Sequence, residues 1–355
     1  MLACDGACAQ GWVKQRFDSS YRATLEVVVQ ETFDIVVIGG GAAGLSGAKI
    51  AARSRRSVLV IDSGTPRNAP AHGVHNYLYA EGAPPSRLVQ IGRAEAAAYG
   101  VQIVDAKVTG AVVLELPDGG GPRFSVDIEQ DGTTRTVAAR RILLATGLID
   151  TLPDIPGMRE RWGRDVLHCP FCHGWEVRDQ AIGVIGTGPM SLHTVQLFRP
   201  LTSDVVYFQH TAPDPTDEQL QLLAAIGVRH VAGPVARIET TDDQLSGVQM
   251  SDSEVISRAA VAVTTRIDGR TDMIAELGLA MTELEMGGAI LGSYLPTGSM
   301  GSTSTPGVWA AGNLSDPMAQ VITAASAGAA AGSAIHMDLM AQDNAIALKR
   351  HRACS

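Results

Sequence analysis

Cysteines, aromatic residues and long apolar runs are all scarce in this sequence of 355 residues. Five cysteines are too few for a disulfide scaffold, so we expect a reducing compartment in which thiols serve catalysis or bind a metal. The Ala-rich stretch Thr323–Met340 is interrupted by Ser326, Ser333, His336 and Asp338, and no run approaches the roughly 18 to 20 apolar residues of a membrane span. The sequence therefore predicts a cytoplasmic protein without a membrane partner.

Basic residues are outnumbered by acidic ones. The 28 Lys and Arg stand against 37 Asp and Glu, and the net charge of −9 argues against nucleic acid as a partner, because phosphate backbones bind densely basic surfaces. Residues 1–30 hold Cys4 and Cys8 but lack the unbroken apolar core of a signal peptide, so we expect an extension outside the fold. The polar, basic stretch Ala341–Ser355 is expected to fray, with 346–355 as a tail.

Apolar residues and glycine are plentiful. Apolar side chains make up 45% of the chain and charged ones 18%, a composition typical of globular proteins with sizeable cores. The length favours two domains of ordinary size over one. Each of two segments combines a short apolar strand, a glycine turn and a helix, which is the repeating unit of a parallel α/β sheet.

The first of these units has the pattern of a dinucleotide site. The predicted strand Phe33–Ile38 runs into Gly39-x-Gly41-x-x-Gly44, an Ala-rich helix follows to about Ser54, and the strand Ser57–Ile61 then leads to Asp62. Such glycines permit the tight turn, the close approach of backbone N–H groups to a pyrophosphate, and close helix packing. Asp62, eighteen residues after Gly44, is a candidate acceptor for ribose hydroxyls. The pattern predicts a bound dinucleotide without identifying which one.

The second unit begins with the predicted strand Ala181–Ile185 and turns at Gly186 and Gly188. Its helix extends to about Phe198, and the next strand is Asp204–Phe208. Further predicted elements are the strands Arg140–Thr146 and Gly307–Ala311 and a long helix from about Val321 to Met340.

A pair of cysteines at C-x-x-C spacing precedes this second unit. Cys169 and Cys172 are flanked by His168 and His173, and two thiols so spaced can close a small disulfide ring. A nearby imidazolium lowers a thiol pKa towards neutrality, so thiol–disulfide exchange is the favoured chemistry. The alternative is half of a zinc site, which would need two further ligands, although the other cysteines lie at the ends of the chain. We predict no metal.

These motifs together resemble the low-molecular-weight thioredoxin reductase family over about Phe33–Met340. The run Cys169-Pro170-Phe171-Cys172-His173-Gly174-Trp175-Glu176 resembles the branch that contains the gliotoxin and holomycin dithiol oxidases. The resemblance implies two doubly wound Rossmann-like domains, with an FAD domain at 31–150 and 285–345 split around an NADPH-domain-like region at 151–284. It also implies a homodimer.

The same resemblance implies that FAD is the cofactor and assigns residues to it. The cofactor-binding candidates come from four segments: Gly39, Gly41, Ala42, Ala43, Gly44 and Asp62; Arg67, Asn68 and Asn76; Ala145, Thr146 and Gly147; and Gly312, Asn313, Gln320 and Val321. Trp175 and Glu176 are candidates for the substrate entrance. The reductases usually carry Asp at the positions of Asn313 and His173.

The second glycine turn departs from a nicotinamide site. Holding the 2′-phosphate of NADPH needs Arg or Lys after the strand Asp204–Phe208, and NADH prefers a carboxylate there. The chain has Gln209 and His210 instead, while Pro189 and Met190 occupy the middle of the turn. We therefore expect that nicotinamide binding has been lost.

The resulting hypothesis is an FAD-dependent dithiol oxidase. Cys169 would be attacked by a small-molecule dithiol, Cys172 would pass electrons to the flavin, His173 would move protons, and dioxygen would be reduced to hydrogen peroxide. Two alternatives remain: an NADPH-dependent reductase acting on a thioredoxin-like protein, and a flavoprotein that sequesters a thiol metabolite. The identity of the dithiol does not follow from the sequence.

Overall fold

The computed structural model describes residues 31–114, 121, 123–270 and 275–355. The predicted extension 1–30, with Cys4 and Cys8, lies outside these residues. The described residues form two main sheets, each built around one of the glycine-turn units, and the predicted α/β class with two Rossmann-like units is confirmed. Within the described ranges, no helix has both the length and the apolar character that crossing a membrane requires.

The first sheet has seven strands and surrounds the first glycine turn. They are β1 (Glu31–Ile38), β2 (Val58–Asp62), β3 (Gln102–Asp105), β4 (Lys107–Val113), β5 (Phe124–Gln130), β6 (Thr133–Leu144) and β19 (Val308–Ala310). Strands β3, β2, β1, β6 and β19 run parallel, whereas β4 and β5 form an antiparallel ribbon. Along the edge of β6 opposite β1, β5 pairs with the first half of the strand and β19 with its end. Both faces are covered, which explains why β1 and β2 are continuous apolar runs without alternation.

Three helices flank the first sheet: α1 (Ala42–Arg53), α2 (Pro85–Ala97) and α7 (Val321–Cys354). Helices α1 and α7 approach unusually closely because glycines face each other. A Cβ atom added to Gly328 would lie 1.9 Å from the carbonyl oxygen of Ala43, and one added to Gly332 would lie 2.4 Å from that of Gly47. The Ala/Gly composition of the predicted helix thus brings the N-terminus of α7 beside the glycine turn.

The second sheet consists of parallel strands only. They are β8 (Val166–Leu167), β9 (Ile182–Ile185), β10 (Val205–Phe208), β11 (Arg229–Val231) and β15 (Ala260–Val263), in the order β11-β10-β9-β15-β8. The accompanying helices are α3 (Met158–Arg161), α4 (Pro170–His173), α5 (Ser191–Phe198) and α6 (Asp217–Ala225). A separate antiparallel sheet of β12 (Val235–Thr241), β13 (Gln244–Met250) and β14 (Val255–Ser257) covers one side.

A small sheet joins the two units. Its strands are β7 (Leu148–Thr151), β16 (Arg266–Gly269), β17 (Thr282–Met286) and β18 (Ala289–Tyr294). Strands β7 and β16, which carry the chain into and out of the second unit, pair antiparallel with each other. Strands on both sides of each predicted domain limit, 150/151 and 284/285, belong to this one connecting sheet. The exact limits therefore stay a prediction.

The prediction of a frayed tail is wrong. Helix α7 continues from Val321 to Cys354 instead of ending near Met340, so residues 346–354 are helical. The segment after Met340 contains no Gly or Pro and is rich in good helix formers. Asp343 also anchors it, because its carboxylate accepts a hydrogen bond from Arg56 Nη1 at 2.6 Å and pairs with Arg140.

Candidate active site

A cavity of about 1050 Å³ extends from the first glycine turn to the cysteine pair. Its wall is drawn from the ends of β1, β2 and β6, the start of α7, and the segment that carries Cys172 and His173. Most of the predicted cofactor residues line it: Gly39, Gly41, Ala42, Ala43, Asp62, Arg67, Asn68, Ala145, Thr146, Gly147, Gly312, Asn313, Gln320 and Val321. The two exceptions are Gly44 and Asn76.

The glycine turn combines tight packing beneath with open space above. Gly39 has φ +109°, and a Cβ atom there would come within 2.3 Å of the carbonyl oxygen of Ala145. A Cβ at Gly44 would meet the oxygen of Gly39 at 1.9 Å, so Gly44 packs under the turn rather than lining the cavity. A Cβ at Gly41 would meet no atom within 4 Å. Because α1 begins at Ala42 without an acidic residue in its first turn, its N–H groups suit a pyrophosphate.

Asp62 lies at the end of β2, beside the turn. A Cβ atom at Gly40 would lie 2.6 Å from its Oδ2, which explains a glycine to which the motif assigns no role. Arg93 on α2 bridges two carboxylates, with Nη1 at 3.5 Å from Asp62 Oδ2 and Nη2 at 2.7 Å from Asp105 Oδ1. Arg93 also lines the cavity. Arg93 is not predictable from the sequence, because no local motif links α2 to Asp62.

The N-terminus of α7, which follows Gln320, also borders the cavity beside the glycine turn. The side-chain amide of Asn313 donates hydrogen bonds to the carbonyl oxygens of Ala319 at 2.9 Å and of Pro317 at 3.2 Å. These bonds hold the turn that leads into α7. Asn313 therefore stabilises the loop that contains it, and it also lines the cavity.

Arg270 is a second cavity residue that the sequence did not reveal. Its backbone N–H donates to the carbonyl of Gly147 at 3.1 Å, and its carbonyl accepts from Thr146 Oγ1 at 2.8 Å. Its buried Nε has no hydrogen-bond partner among the described residues. A polar ligand in the cavity would meet both this unpaired donor and the open space above Gly41, so the residues present fit a bound dinucleotide.

Two predicted cofactor residues are engaged elsewhere. The guanidinium of Arg67 forms a two-pronged ion pair with Asp150 on β7, with distances of 2.6 and 2.7 Å. Burial alone would raise the pKa of Asp150, but the hydrogen bonds and charge of Arg67 outweigh it and lower that pKa. Asn76 does not line the cavity, and its side-chain amide donates to the carbonyl of Phe171 at 2.6 Å. Asn76 thus contacts the cysteine segment.

Cys169 and Cys172 are joined by a disulfide, with their Cα atoms 5.3 Å apart. Cys169 precedes the single turn of α4 and Cys172 lies within it. Cys172 lines the cavity, whereas Cys169 does not. We call the sulfur of the cavity-lining Cys172 the inner sulfur and that of Cys169 the outer sulfur. Across the described ranges, no three His, Cys, Asp or Glu side chains are grouped as a metal site would require.

Two histidines flank the disulfide. Burial and the charge of Arg67 lower the pKa of His168 to about 4, and its ring stacks on Trp162 with centroids 5.2 Å apart. Burial also lowers the pKa of His173, although the Glu176 carboxylate partly opposes this. His173 Nδ1 is buried without a hydrogen-bond partner in the described part of the chain. Both imidazoles are therefore neutral near pH 7, and His173, which lines the cavity, is able to accept a proton.

The second glycine turn differs from the first. The hydroxyl oxygen of Ser191 accepts hydrogen bonds from the backbone N–H groups of Thr187 at 2.9 Å and Gly188 at 3.2 Å. After β10, Gln209 bonds to Asp214 at 2.6 Å, and His210 Nδ1 accepts from the N–H of Val235 at 3.1 Å. The chain's own side chains thus occupy the polar groups of this turn.

Comparison with known proteins identifies the family. The model of the pyridine nucleotide-disulphide oxidoreductase family matches residues 33–329. The chain is 29% identical over 329 residues to the thioredoxin reductase sirT of Leptosphaeria maculans, which covers 88% of this chain and 96% of that protein. It is 31% identical over 194 residues to a probable thioredoxin reductase of Arthroderma benhamiae, an alignment of 54% of this chain that spans only 47% of that protein.

A solved structure is also similar. The crystal structure of HlmI has a TM-score of 0.82 and 39% sequence identity, covering 91% of this chain and 98% of that one. The predicted resemblance to thioredoxin reductases and the predicted FAD cofactor are confirmed. The chain belongs to the pyridine nucleotide-disulphide oxidoreductase family, and it is an FAD-binding, thioredoxin reductase-like thiol/disulfide oxidoreductase.

Proposed function

We propose that the protein oxidises a small-molecule dithiol to its disulfide, with dioxygen as the final electron acceptor. The observation that carries this proposal is the contrast between the two sulfurs. Cys172 lines the cavity that fits the dinucleotide, whereas Cys169, to which it is bonded, is not among the lining residues. We therefore assign the substrate thiol to Cys169 and electron transfer towards the cavity to Cys172. The resemblance of the segment from Cys169 to Glu176 to the dithiol oxidases supports the same direction of electron flow.

The exchange proceeds through the protein's own sulfurs. A substrate thiolate attacks Cys169 Sγ, the Cys169–Cys172 bond breaks, and Cys172 leaves as a thiolate. The second substrate thiolate then attacks the sulfur bound to Cys169, which closes the product disulfide and releases the Cys169 thiol. The substrate has lost two electrons and two protons, and the cysteine pair has gained them.

FAD, held by the glycine turn and the other cavity residues, would supply the two-electron chemistry that links the reduced cysteine pair to dioxygen, with hydrogen peroxide as the product and the disulfide re-formed. His173 supports this sequence as a proton acceptor for the incoming thiol. Its depressed pKa keeps the ring neutral near pH 7, and its unpaired Nδ1 is free to bind a proton. Its location beside Cys172 also allows the proton to be returned to a departing thiolate.

The second glycine turn supports the loss of a nicotinamide donor. Ser191 occupies two N–H groups that a pyrophosphate would otherwise use, and Pro189 has no N–H to offer. Gln209 and His210 provide no positive charge for a 2′-phosphate, because burial lowers the pKa of His210. A reductase driven by NADPH would need free backbone N–H groups for the pyrophosphate and a positive charge for the 2′-phosphate.

An oxygen-electrode experiment tests the proposal. The FAD-loaded enzyme is mixed with dithiothreitol as a probe dithiol, with and without NADPH, while oxygen consumption and peroxide are recorded. We expect oxygen uptake and about one peroxide per dithiol. We also expect that NADPH alone leaves the flavin absorbance unchanged under anaerobic conditions.

Two outcomes would contradict the proposal. Rapid bleaching of the flavin by NADPH would establish the reductase instead. Stoichiometric binding of a dithiol without peroxide would establish sequestration. Sedimentation of the loaded enzyme tests the homodimer that the family resemblance implies.

A further inference from the structure

The outer sulfur lies beside large apolar side chains that are exposed. Phe171, between the two cysteines, is 64% exposed, and Trp175, three residues after Cys172, is 66% exposed. Single exposed apolar residues are common and need no explanation. These two, however, belong to the segment that carries the disulfide, within six residues of Cys169.

A loop of the first unit adds two more apolar side chains to this region. The loop is closed by a bridge between Val74 and Ala83, and at its tip Leu78 is 89% exposed and Tyr79 is fully exposed. Tyr79 also has φ +73°, a left-handed conformation that an aromatic residue rarely adopts. We call Leu78, Tyr79, Phe171 and Trp175 the apolar rim.

Polar contacts tie this loop to the disulfide segment. Asn76 Nδ2 donates to the carbonyl of Phe171 at 2.6 Å. His75 lies between two carboxylates, with Nδ1 at 2.6 Å from Glu81 Oε1 and Nε2 at 3.4 Å from Glu176 Oε1. These bonds join the loop that carries Leu78 and Tyr79 to the segment that carries Phe171 and Trp175, although the two are separated by about ninety residues in the chain.

Trp175 is fixed in one orientation. The guanidinium of Arg178 lies 4.1 Å from the centroid of its ring, and Arg178 Nη1 donates to the carbonyl oxygen of Trp175 at 2.7 Å. Such a cation–π contact covers one face of the indole and leaves the other available for stacking. At the polar edge of this region the carboxylates of Glu81 and Glu176 flank His75, whereas Arg178 places a positive charge on Trp175, so both signs of charge are present. An ionised ligand group would lose hydration beside the apolar side chains without a matching net charge there.

We propose that the apolar rim binds the flat, uncharged part of the dithiol substrate and so selects ring-bearing neutral dithiols over polar or acidic ones. This inference rests on the proposed dithiol oxidase function. Stacking against Trp175 would hold the substrate with its thiols directed at Cys169. The rim residues act on substrate binding, whereas the thiol exchange itself remains with the cysteines and His173.

Two probe dithiols that close the same six-membered disulfide ring separate binding from chemistry. They are ortho-xylylene dithiol, which carries an aromatic ring, and dithiothreitol, which carries hydroxyl groups. We expect Trp175→Ala to lower kcat/KM for the aromatic probe about tenfold, through KM, and to leave dithiothreitol within about twofold. Tyr99→Ala is the matched control, because Tyr99 is an exposed aromatic residue under Arg53 that belongs neither to the disulfide segment nor to the loop between Val74 and Ala83.

Leu78→Ala gives a second, independent test. We expect a loss of about threefold for the aromatic probe only, and no change in its control Leu222→Ala on α6. Dihydrolipoate, an acidic dithiol, should have a higher KM than the aromatic probe in the unmodified enzyme. Equal losses for both matched probes in Trp175→Ala would overturn the proposal, since they would indicate a structural role.

Equilibrium binding keeps this proposal distinct from the oxidase function. In equilibrium dialysis, the cyclic disulfide of ortho-xylylene dithiol should bind to the unmodified flavoenzyme and bind about tenfold more weakly to Trp175→Ala. This measurement needs no turnover, so weaker binding would support the rim even if peroxide were never formed. Unchanged affinity would contradict substrate binding by the apolar rim and would leave the proposed oxidase function standing. Preferential oxidation of reduced thioredoxin, impaired by Trp175→Ala, would assign the rim to a protein partner and also overturn the proposal.

Discussion

The two glycine turns of this chain begin with similar backbones and end with different surroundings. Above Gly41 in the first turn there is open space, and the N-terminus of α1 offers its N–H groups to the cavity. In the second turn, the N–H groups of Thr187 and Gly188 are already bonded to Ser191. The comparison teaches that a glycine-rich turn predicts a shape, while the side chains around it decide whether a phosphate can bind there.

If electrons enter through the disulfide and not through the second turn, as we propose, Cys172→Ser should have the largest effect. We expect complete loss of dithiol oxidation with FAD still bound, because the cavity-facing sulfur is gone while the glycine turn is intact. Flavin absorbance and oxygen uptake measure the two results. Sustained turnover by this variant would place electron entry elsewhere.

A matched pair of glycine substitutions sharpens the comparison directly. A Cβ atom at Gly41 or at Gly188 meets no protein atom within 4 Å, so alanine at either position should fold. We expect Gly41→Ala to weaken FAD binding tenfold or more, because its methyl group enters the space for the pyrophosphate, and Gly188→Ala to leave FAD content unchanged. Equilibrium dialysis of FAD provides the measurement. Equal retention of FAD in both variants would contradict the assigned pyrophosphate site.

The segment between the two units provides a pH test, because His168 is buried beside the disulfide. Its pKa of about 4 in the folded protein lies below the ordinary 6.5, so the folded state favours the neutral ring. The corresponding stability is fully present above pH 6.5 and is lost as pH falls towards 4, by about 3 kcal/mol in total. We expect His168→Phe to remove most of this loss in urea unfolding between pH 6.5 and 4.5, whereas the exposed His351→Phe should not.

The smallest expected effect concerns the hydroxyl that closes the second turn. Ser191→Ala leaves the N–H groups of Thr187 and Gly188 without their partner, and we expect a loss of about 1 kcal/mol in the free energy of unfolding. FAD content should not change. Ser333→Ala is the control, because its hydroxyl bonds only to the carbonyl of Ala329 within α7. Rapid flavin reduction by NADPH in Ser191→Ala would mean that Ser191 alone closes the site.

Much of the fold could be predicted because its patterns are local. The strand β1, the glycine turn, α1 and β2 follow one another within about thirty residues, and each has a recognisable periodicity or turn. The C-x-x-C spacing similarly predicts a disulfide ring. The helical tail was mispredicted because polarity was taken as a sign of fraying, although the segment has good helix formers and Asp343 is held by Arg56.

The candidate site was predicted less completely, because several of its contacts join distant parts of the chain. Arg67 was assigned to the cofactor, yet its guanidinium pairs with Asp150, and Asn76 bonds to the disulfide segment instead of lining the cavity. Arg93 and Arg270 belong to the cavity wall without any motif of their own. Such contacts leave no periodic signal, since neither partner needs particular neighbours in sequence.

By itself, the sequence determined the order of the elements, the dinucleotide turn with Asp62 and the redox-active cysteine pair, since each depends on residues close together in the chain. Only the tertiary structure decided which sulfur faces the cavity, which turn is closed by its own serine, and which loop meets the disulfide. The physical reason is that hydrogen bonds, ion pairs and burial between segments far apart depend on how the sheets pack, and packing is a property of the whole chain.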